Sequence, residues 1–164
     1  MTYRPKQLAH VNLWVRDADA TMRWYQDILG LHVYEHRPGK AAFMSADMDQ
    51  SHEIAVMTLG ADAEGYHKGQ VALHHLAFRM ETLNDLKELY ARLKAKDVPI
   101  KTVVDHGISL GVYFQDPDGH GVEVYYELPR AEWPRQDQVF SGDRGHFPGP
   151  WDADRLTRQT LATP

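Results

Sequence analysis

The chain has 164 residues, 43% hydrophobic and 25% charged, enough for one ordinary globular domain with a core of its own. Eighteen Lys and Arg against 23 Asp and Glu leave a net charge of −5, which opposes binding to phosphate backbones and argues against a nucleic-acid partner. There is no cysteine, so disulfides, thiolate metal sites and cysteine nucleophiles are excluded, and ten histidines form the ligand pool.

The first predicted strand spans about 6–16 and contains Leu8-Ala9-His10-Val11-Asn12-Leu13-Trp14-Val15. A helix over 18–29 follows, with Asp17 or Asp19 as N-cap, Met22, Trp24, Tyr25, Ile28 and Leu29 as apolar positions, and Gly30 as its stop. Strands are expected near 31–37, 40–46 and 52–58, then a loop holding Gly60, Gly65 and Gly69. The pattern then repeats. A strand over 71–80 contains Leu73-His74-His75-Leu76-Ala77-Phe78-Arg79-Met80, and His75 falls on His10 at an offset of 65 residues. The helix over 82–96 starts at Thr82 with Asp85 three residues on, close to a capping box, and carries Leu83, Leu86, Leu89, Tyr90 and Leu93 on one face. Strands near 100–105, 109–115 and 121–127 complete the second copy, the last two joined by the turn Asp116-Pro117-Asp118-Gly119. The expected fold is therefore α+β: two tandem βαβββ modules, 6–60 and 71–128, forming one domain over 1–128 with a curved, half-barrel sheet. Residues 129–164 read as an irregular tail in which Trp133, Phe147 and Trp151 are candidates to close a pocket, and dimer contact is the other reading.

Strand side chains alternate between faces. His10 would then share a face with Asn12 and Trp14, and His75 with Ala77 and Arg79, while His74 would point the other way. Glu123 is the polar interruption of an otherwise apolar late strand. His10, His75 and Glu123 are the expected metal ligands, because two imidazoles and one carboxylate leave positions open on Fe(II), Mn(II) or catalytic Zn(II).

These repeats, with Trp24-Tyr25-Gln26-Asp27-Ile28-Leu29-Gly30-Leu31 and Tyr113-Phe114-Gln115-Asp116-Pro117-Asp118-Gly119 ahead of Val122-Glu123, resemble the vicinal oxygen chelate superfamily over about residues 6–128. That superfamily includes glyoxalase I, fosfomycin-resistance proteins, bleomycin-binding proteins and type I extradiol dioxygenases. Within it, Ser51-His52-Glu53-Ile54-Ala55, His106-Gly107 and Tyr113-Phe114 resemble the single-pair extradiol enzymes. The resemblance implies Fe(II), with Mn(II) as the other option, acting on a catechol-type aromatic diol and O2. It makes His52 the acid/base, since imidazole exchanges protons near neutral pH, and makes His106 and Tyr113 hydrogen-bonding groups around the diol. Ser51 departs from relatives that carry a second histidine there.

Three alternatives stand beside this reading. A fosfomycin-type thiol transferase uses the same ligand types and would need a cation such as Arg79. A non-enzymatic binder of an aromatic antibiotic would lack the full ligand set. A glyoxalase I-like isomerase would turn Glu53, not His52, into the site. A homo-oligomer is expected from exposed module edges. No apolar run approaches the ~20 residues of a membrane span, and the first residues lack an apolar signal region, so the expected location is cytoplasmic with no membrane partner.

Overall fold

The computed structural model describes residues 4–65, 67 and 69–133. The chain divides into two compact units, Met1–Gln70 with Asp116–Gly119, and Val71–Gln115 with His120–Pro164. Among the described residues each contains one α-helix and one four-stranded open sheet, so the α+β class and the paired βαβββ modules read from the sequence hold.

In the first unit the elements are β1 (Val11–Val15), α1 (Ala18–Leu29), β2 (His32–Arg37), β3 (Ala41–Ser45) and β4 (Ile54–Thr58). The sheet order is β1-β4-β3-β2, with β1 parallel to β4 and the other pairs antiparallel. Asp17, extended at φ −143°, accepts the Asp19 and Ala20 amides and settles the N-cap in its favour. Asp19 does different work: its carboxylate accepts from the Gly39 amide and meets His36 Nε2 at 2.9 Å, tying the β2–β3 turn to the helix start. Gly30 ends α1 in the left-handed region at φ +70°, and its N–H donates to the Gln26 carbonyl. Met22, Tyr25 and Ile28 bury α1 against β3 and β4, where Ala42, Met44, Ile54 and Val56 are almost wholly covered.

The second unit repeats the plan: β5 (Leu76–Met80), α2 (Leu83–Ala95), β6 (Thr102–Asp105), β7 (Ser109–Gln115) and β8 (Gly121–Glu127), in the order β5-β8-β7-β6. A short 3-10 turn at Arg130–Glu132 follows. Thr82 and Asp85 form the full reciprocal capping box, so Asp serves where Glu is commoner. Leu86, Leu89 and Leu93 bury α2, which packs on β5 and β8. Among the described residues no helix is long and apolar enough to cross a membrane.

The leading strand of each module is shorter than expected. The ladders begin at Val11 opposite Ile54 and at Leu76 opposite Val122, so His10, His75 and His52 all sit just outside strand ends. Periodicity in the sequence ran past the point where a hydrogen-bonded partner exists. Of the tail, Trp133 Nε1 donates to the Leu128 carbonyl at 2.8 Å. Phe147 and Trp151 lie outside the described residues.

The turn Asp116–Gly119 joins β7 to β8 yet belongs to the first unit. Asp118 Oδ1 accepts from the Arg16 amide at 3.0 Å and from Arg16 Nη1 at 3.1 Å, and Oδ2 accepts from Thr21 Oγ at 3.2 Å. Asp116 Oδ2 accepts from the buried Tyr25 hydroxyl at 3.3 Å. Gly119, at φ +94°, supplies the backbone conformation that closes the turn. Asp118→Ala leaves these donors short of their acceptor, with an expected loss of about 1–3 kcal/mol. Urea unfolding should show a lower midpoint at unchanged m-value.

Candidate metal and catalytic residues

Among the described residues the helix of each unit packs on one face of its sheet. Leu13 and Val15 are buried under α1, while Asn12 and Trp14 on the opposite face are exposed. In the second unit Val122, Val124, Val112 and Phe114 face α2, so Glu123 and Tyr113, which pair across β7 and β8, stand on the helix-free face.

In the first unit the structure brings His10 and His52 together, ring centroids 4.5 Å apart. Phe43 meets the His52 ring edge-on at 5.6 Å, and Ser51 Oγ lies 3.0 Å from His52 Nδ1. Glu53 is otherwise engaged. Its Oε2 accepts from Ser45 Oγ, the Ala46 amide and the Asp47 amide at 3.0, 2.8 and 3.2 Å. A carboxylate holding a loop with three hydrogen bonds is a structural cap, and it leaves His52 as the residue of this pair beside His10.

In the second unit His75, Glu123, Tyr113 and His106 form one chain of contacts. His75 Nε2 lies 3.0 Å from Glu123 Oε2. The Tyr113 hydroxyl donates to Glu123 Oε1 at 2.6 Å and lies 2.9 Å from His106 Nε2. Glu123 is only 8% exposed, so the carboxylate is held in a partly desolvated place by named partners on both oxygens. Burial first, and then the hydrogen bond to Glu123, push the Tyr113 phenol well above its ordinary value, so it remains an O–H donor across the working range. Burial likewise raises Tyr25, with Asp116 adding to it.

These two phenols make the fold alkali-sensitive. Below the ordinary tyrosine value of 10.0 both folded and unfolded chains hold the protons, and stability does not change through them. Above it the unfolded phenols ionise while the folded ones resist, so the unfolded state binds fewer protons and stability falls. Denaturation midpoints from pH 9 to 12 should decline, and Tyr113→Phe should flatten part of that decline.

His74 does not point to the opposite face as alternation predicted. It precedes the strand, where no pleat fixes it, and its Nδ1 lies 2.6 Å from His75 Nδ1. Two glycines that belong to no motif make room for this group. A Cβ on Gly111 would lie 2.7 Å from Glu123 Oε1 and 3.1 Å from Tyr113 Cε2. A Cβ on Gly121 would overlap the His74 carbonyl oxygen and crowd His75 Cα at 3.2 Å.

Ladder registers show how the modules differ. Ile54 opposite Val11 matches Val122 opposite Leu76, so Ala55 is the counterpart of Glu123, and Phe43 the counterpart of Tyr113. The first module is apolar where the second carries the carboxylate and phenol. His120, 8% exposed, sits two residues before Val122 as His52 sits two before Ile54. Arg79 Nη1 lies 3.7 Å from Glu127 Oε1, so the cation a phosphonate site would use has an acid beside it.

Within neither unit do three or more His, Asp or Glu among the described residues converge as a metal-binding group. His75 and Glu123 form a pair, Nε2 to Oε2. An imidazole nitrogen facing a carboxylate oxygen, with the other oxygen held by a phenol, is a donor set suited to a divalent first-row metal.

The sequence profile of the glyoxalase/bleomycin resistance protein/dioxygenase superfamily matches residues 7–124. The chain belongs to that superfamily. Its curated relatives include biphenyl-2,3-diol 1,2-dioxygenase 2 of Rhodococcus globerulus, 35% identical over 124 residues, 76% of this chain and 64% of the relative. A second enzyme of that organism, biphenyl-2,3-diol 1,2-dioxygenase 3, is 34% identical over 76% of this chain and 64% of its own length. The chain thus spans somewhat less than two thirds of these relatives. Among solved structures of the superfamily fold, a glyoxalase/dioxygenase from Nostoc punctiforme aligns with TM-score 0.65 and 22% identity, covering 76% of this chain and 92% of that one.

Proposed function

We propose that this superfamily member is an extradiol dioxygenase that opens a catechol-type aromatic ring with O2, with residues 1–128 as the working domain. The observation that carries the reading is the division of labour between neighbours in the first module. His52 stands against His10, while Glu53, the residue an isomerase site would need, is committed to its loop. The diol-cleaving Rhodococcus relatives support the same reaction class.

In this reading His10, His75 and Glu123 hold a divalent metal, Fe(II) or Mn(II). Such an ion supplies positive charge and open positions for the diol oxygens and O2. The protein's own groups then have distinct tasks. Tyr113 keeps Glu123 Oε1 occupied, so that Oε2 is the oxygen presented beside His75. His106 and Tyr113, already linked through the phenol oxygen, orient the diol, and the phenol stabilises charge developing on oxygen by turning its one proton from Glu123 Oε1 to the diol. His52 accepts the second diol proton, and Ser51 at its Nδ1 aims the other ring nitrogen.

The test is an oxygen-dependent assay after anaerobic loading with Fe(II) or Mn(II), using catechol, methylcatechol and dihydroxybiphenyl. The expected result is a yellow ring-opened product that vanishes in His75→Ala. Metal bound without ring opening on any diol overturns the dioxygenase reading, and no metal bound overturns the ligand set.

A further inference from the structure

We infer that His74 is a positioning residue for His75, fixing the imidazole from its Nδ1 side so that Nε2 is presented at Glu123. The inference rests on the reading of His75 as a metal ligand. Three contacts converge on His75. His74 Nδ1 lies 2.6 Å from its Nδ1. Glu123 Oε2 lies 3.0 Å from its Nε2. Gly121, which has no side chain, lets the His74–His75 backbone pass β8 at a distance that a Cβ would forbid.

The chemistry of the first contact is restrictive. Two imidazole nitrogens at hydrogen-bond distance share one proton, since two N–H groups would repel and two lone pairs would not bond. The two rings are tilted by 70° with centroids 4.9 Å apart, so the approach is edge-directed, nitrogen to nitrogen, and is not a stack. With a partner at each nitrogen the His75 ring can neither flip nor swing without breaking one of them. A ligand imidazole whose second nitrogen is held in this way is the usual condition for tight metal binding. Here a neighbouring imidazole stands where a carboxylate or carbonyl more often does. The device belongs to the second module alone, because the residue before His10 is Ala9, which has no polar side chain.

The experiment compares wild type with His74→Leu and His74→Asn. Asn places a polar atom at the same reach as imidazole Nδ1 and can donate or accept, and Leu removes the bond while keeping bulk. In metal-free protein, long-range 1H–15N spectra read the His75 ring nitrogens. They should move in His74→Leu and return toward wild type in His74→Asn. Titration with Mn(II) should show affinity weakened about 10- to 100-fold in the Leu variant and largely restored in the Asn variant. Unchanged His75 signals and unchanged Mn(II) affinity in His74→Leu overturn the inference, as does equal loss in both variants, which would mean that shape and not hydrogen bonding is at stake. Should Leu fail to fold, His74→Ala against His74→Asn makes the same comparison. Wild type that binds neither Mn(II) nor Fe(II) would end the metal reading of His75, while the nitrogen signals would still decide whether His74 holds it.

Discussion

His52→Gln is expected to lower ring-opening turnover by about 100-fold or more while the metal stays bound. Glutamine retains a polar side chain of similar reach, so the packing against Phe43 and His10 is largely kept and only proton exchange is lost. The measurement is steady-state kcat beside metal stoichiometry on the same preparation. A variant that loses its metal would make His52 a ligand and remove the acid/base assignment. A variant with normal turnover would remove His52 from the mechanism altogether, and the contact with His10 would then be packing.

Gly121→Val should have an effect as large, from a residue without any chemistry of its own. The first carbon of the new side chain falls on the His74 carbonyl and within 3.2 Å of His75 Cα, both backbone atoms that cannot swing aside. Either the leading end of β5 moves off β8 or the fold carries overpacking of about 1–3 kcal/mol. In both cases His75 leaves its place beside Glu123. Mn(II) affinity should fall beyond the range of His74→Leu, and the thermal midpoint should fall with it. Gly111→Ala is the milder companion, because its Cβ meets the end of the Glu123 side chain and the edge of the Tyr113 ring. Retained Mn(II) affinity in Gly121→Val would show that the strand end relaxes freely and that His75 does not depend on it.

Much of this fold could be read from the sequence because the information was local. The helix limits follow from Asp17, Gly30 and Thr82 with Asp85, each acting within one turn of itself. The turn at Asp116–Gly119 announces itself by Pro and Gly. The duplication was visible because His10 and His75 sit at matching steps of matching patterns. What could not be read was set by partners distant in sequence. Strand ends at Val11 and Leu76 are fixed by where Ile54 and Val122 begin, which periodicity in one segment cannot know. The role of Glu53 depends on amides at Ala46 and Asp47 presented by a loop. Gly111 and Gly121 carry no pattern, since a missing side chain matters only once its neighbours are known. Alternation misplaces His74 because it stands two residues before Leu76, where no pleat exists.

The clasp made by Asp118 has a consequence for how the protein is made. Arg16 and its acceptor are 102 residues apart, so the first module emerges from the ribosome without the group that closes it. At ordinary elongation speeds that interval is roughly 5–20 s, long on the scale of helix and hairpin formation. During it the Arg16 amide and the Thr21 hydroxyl have no Asp118 to receive them. A gene split between the modules would yield a first half with the same deficit permanently, rescued only when the second half is supplied. Synthesis order and final architecture are therefore mismatched: the half made first is the half completed last.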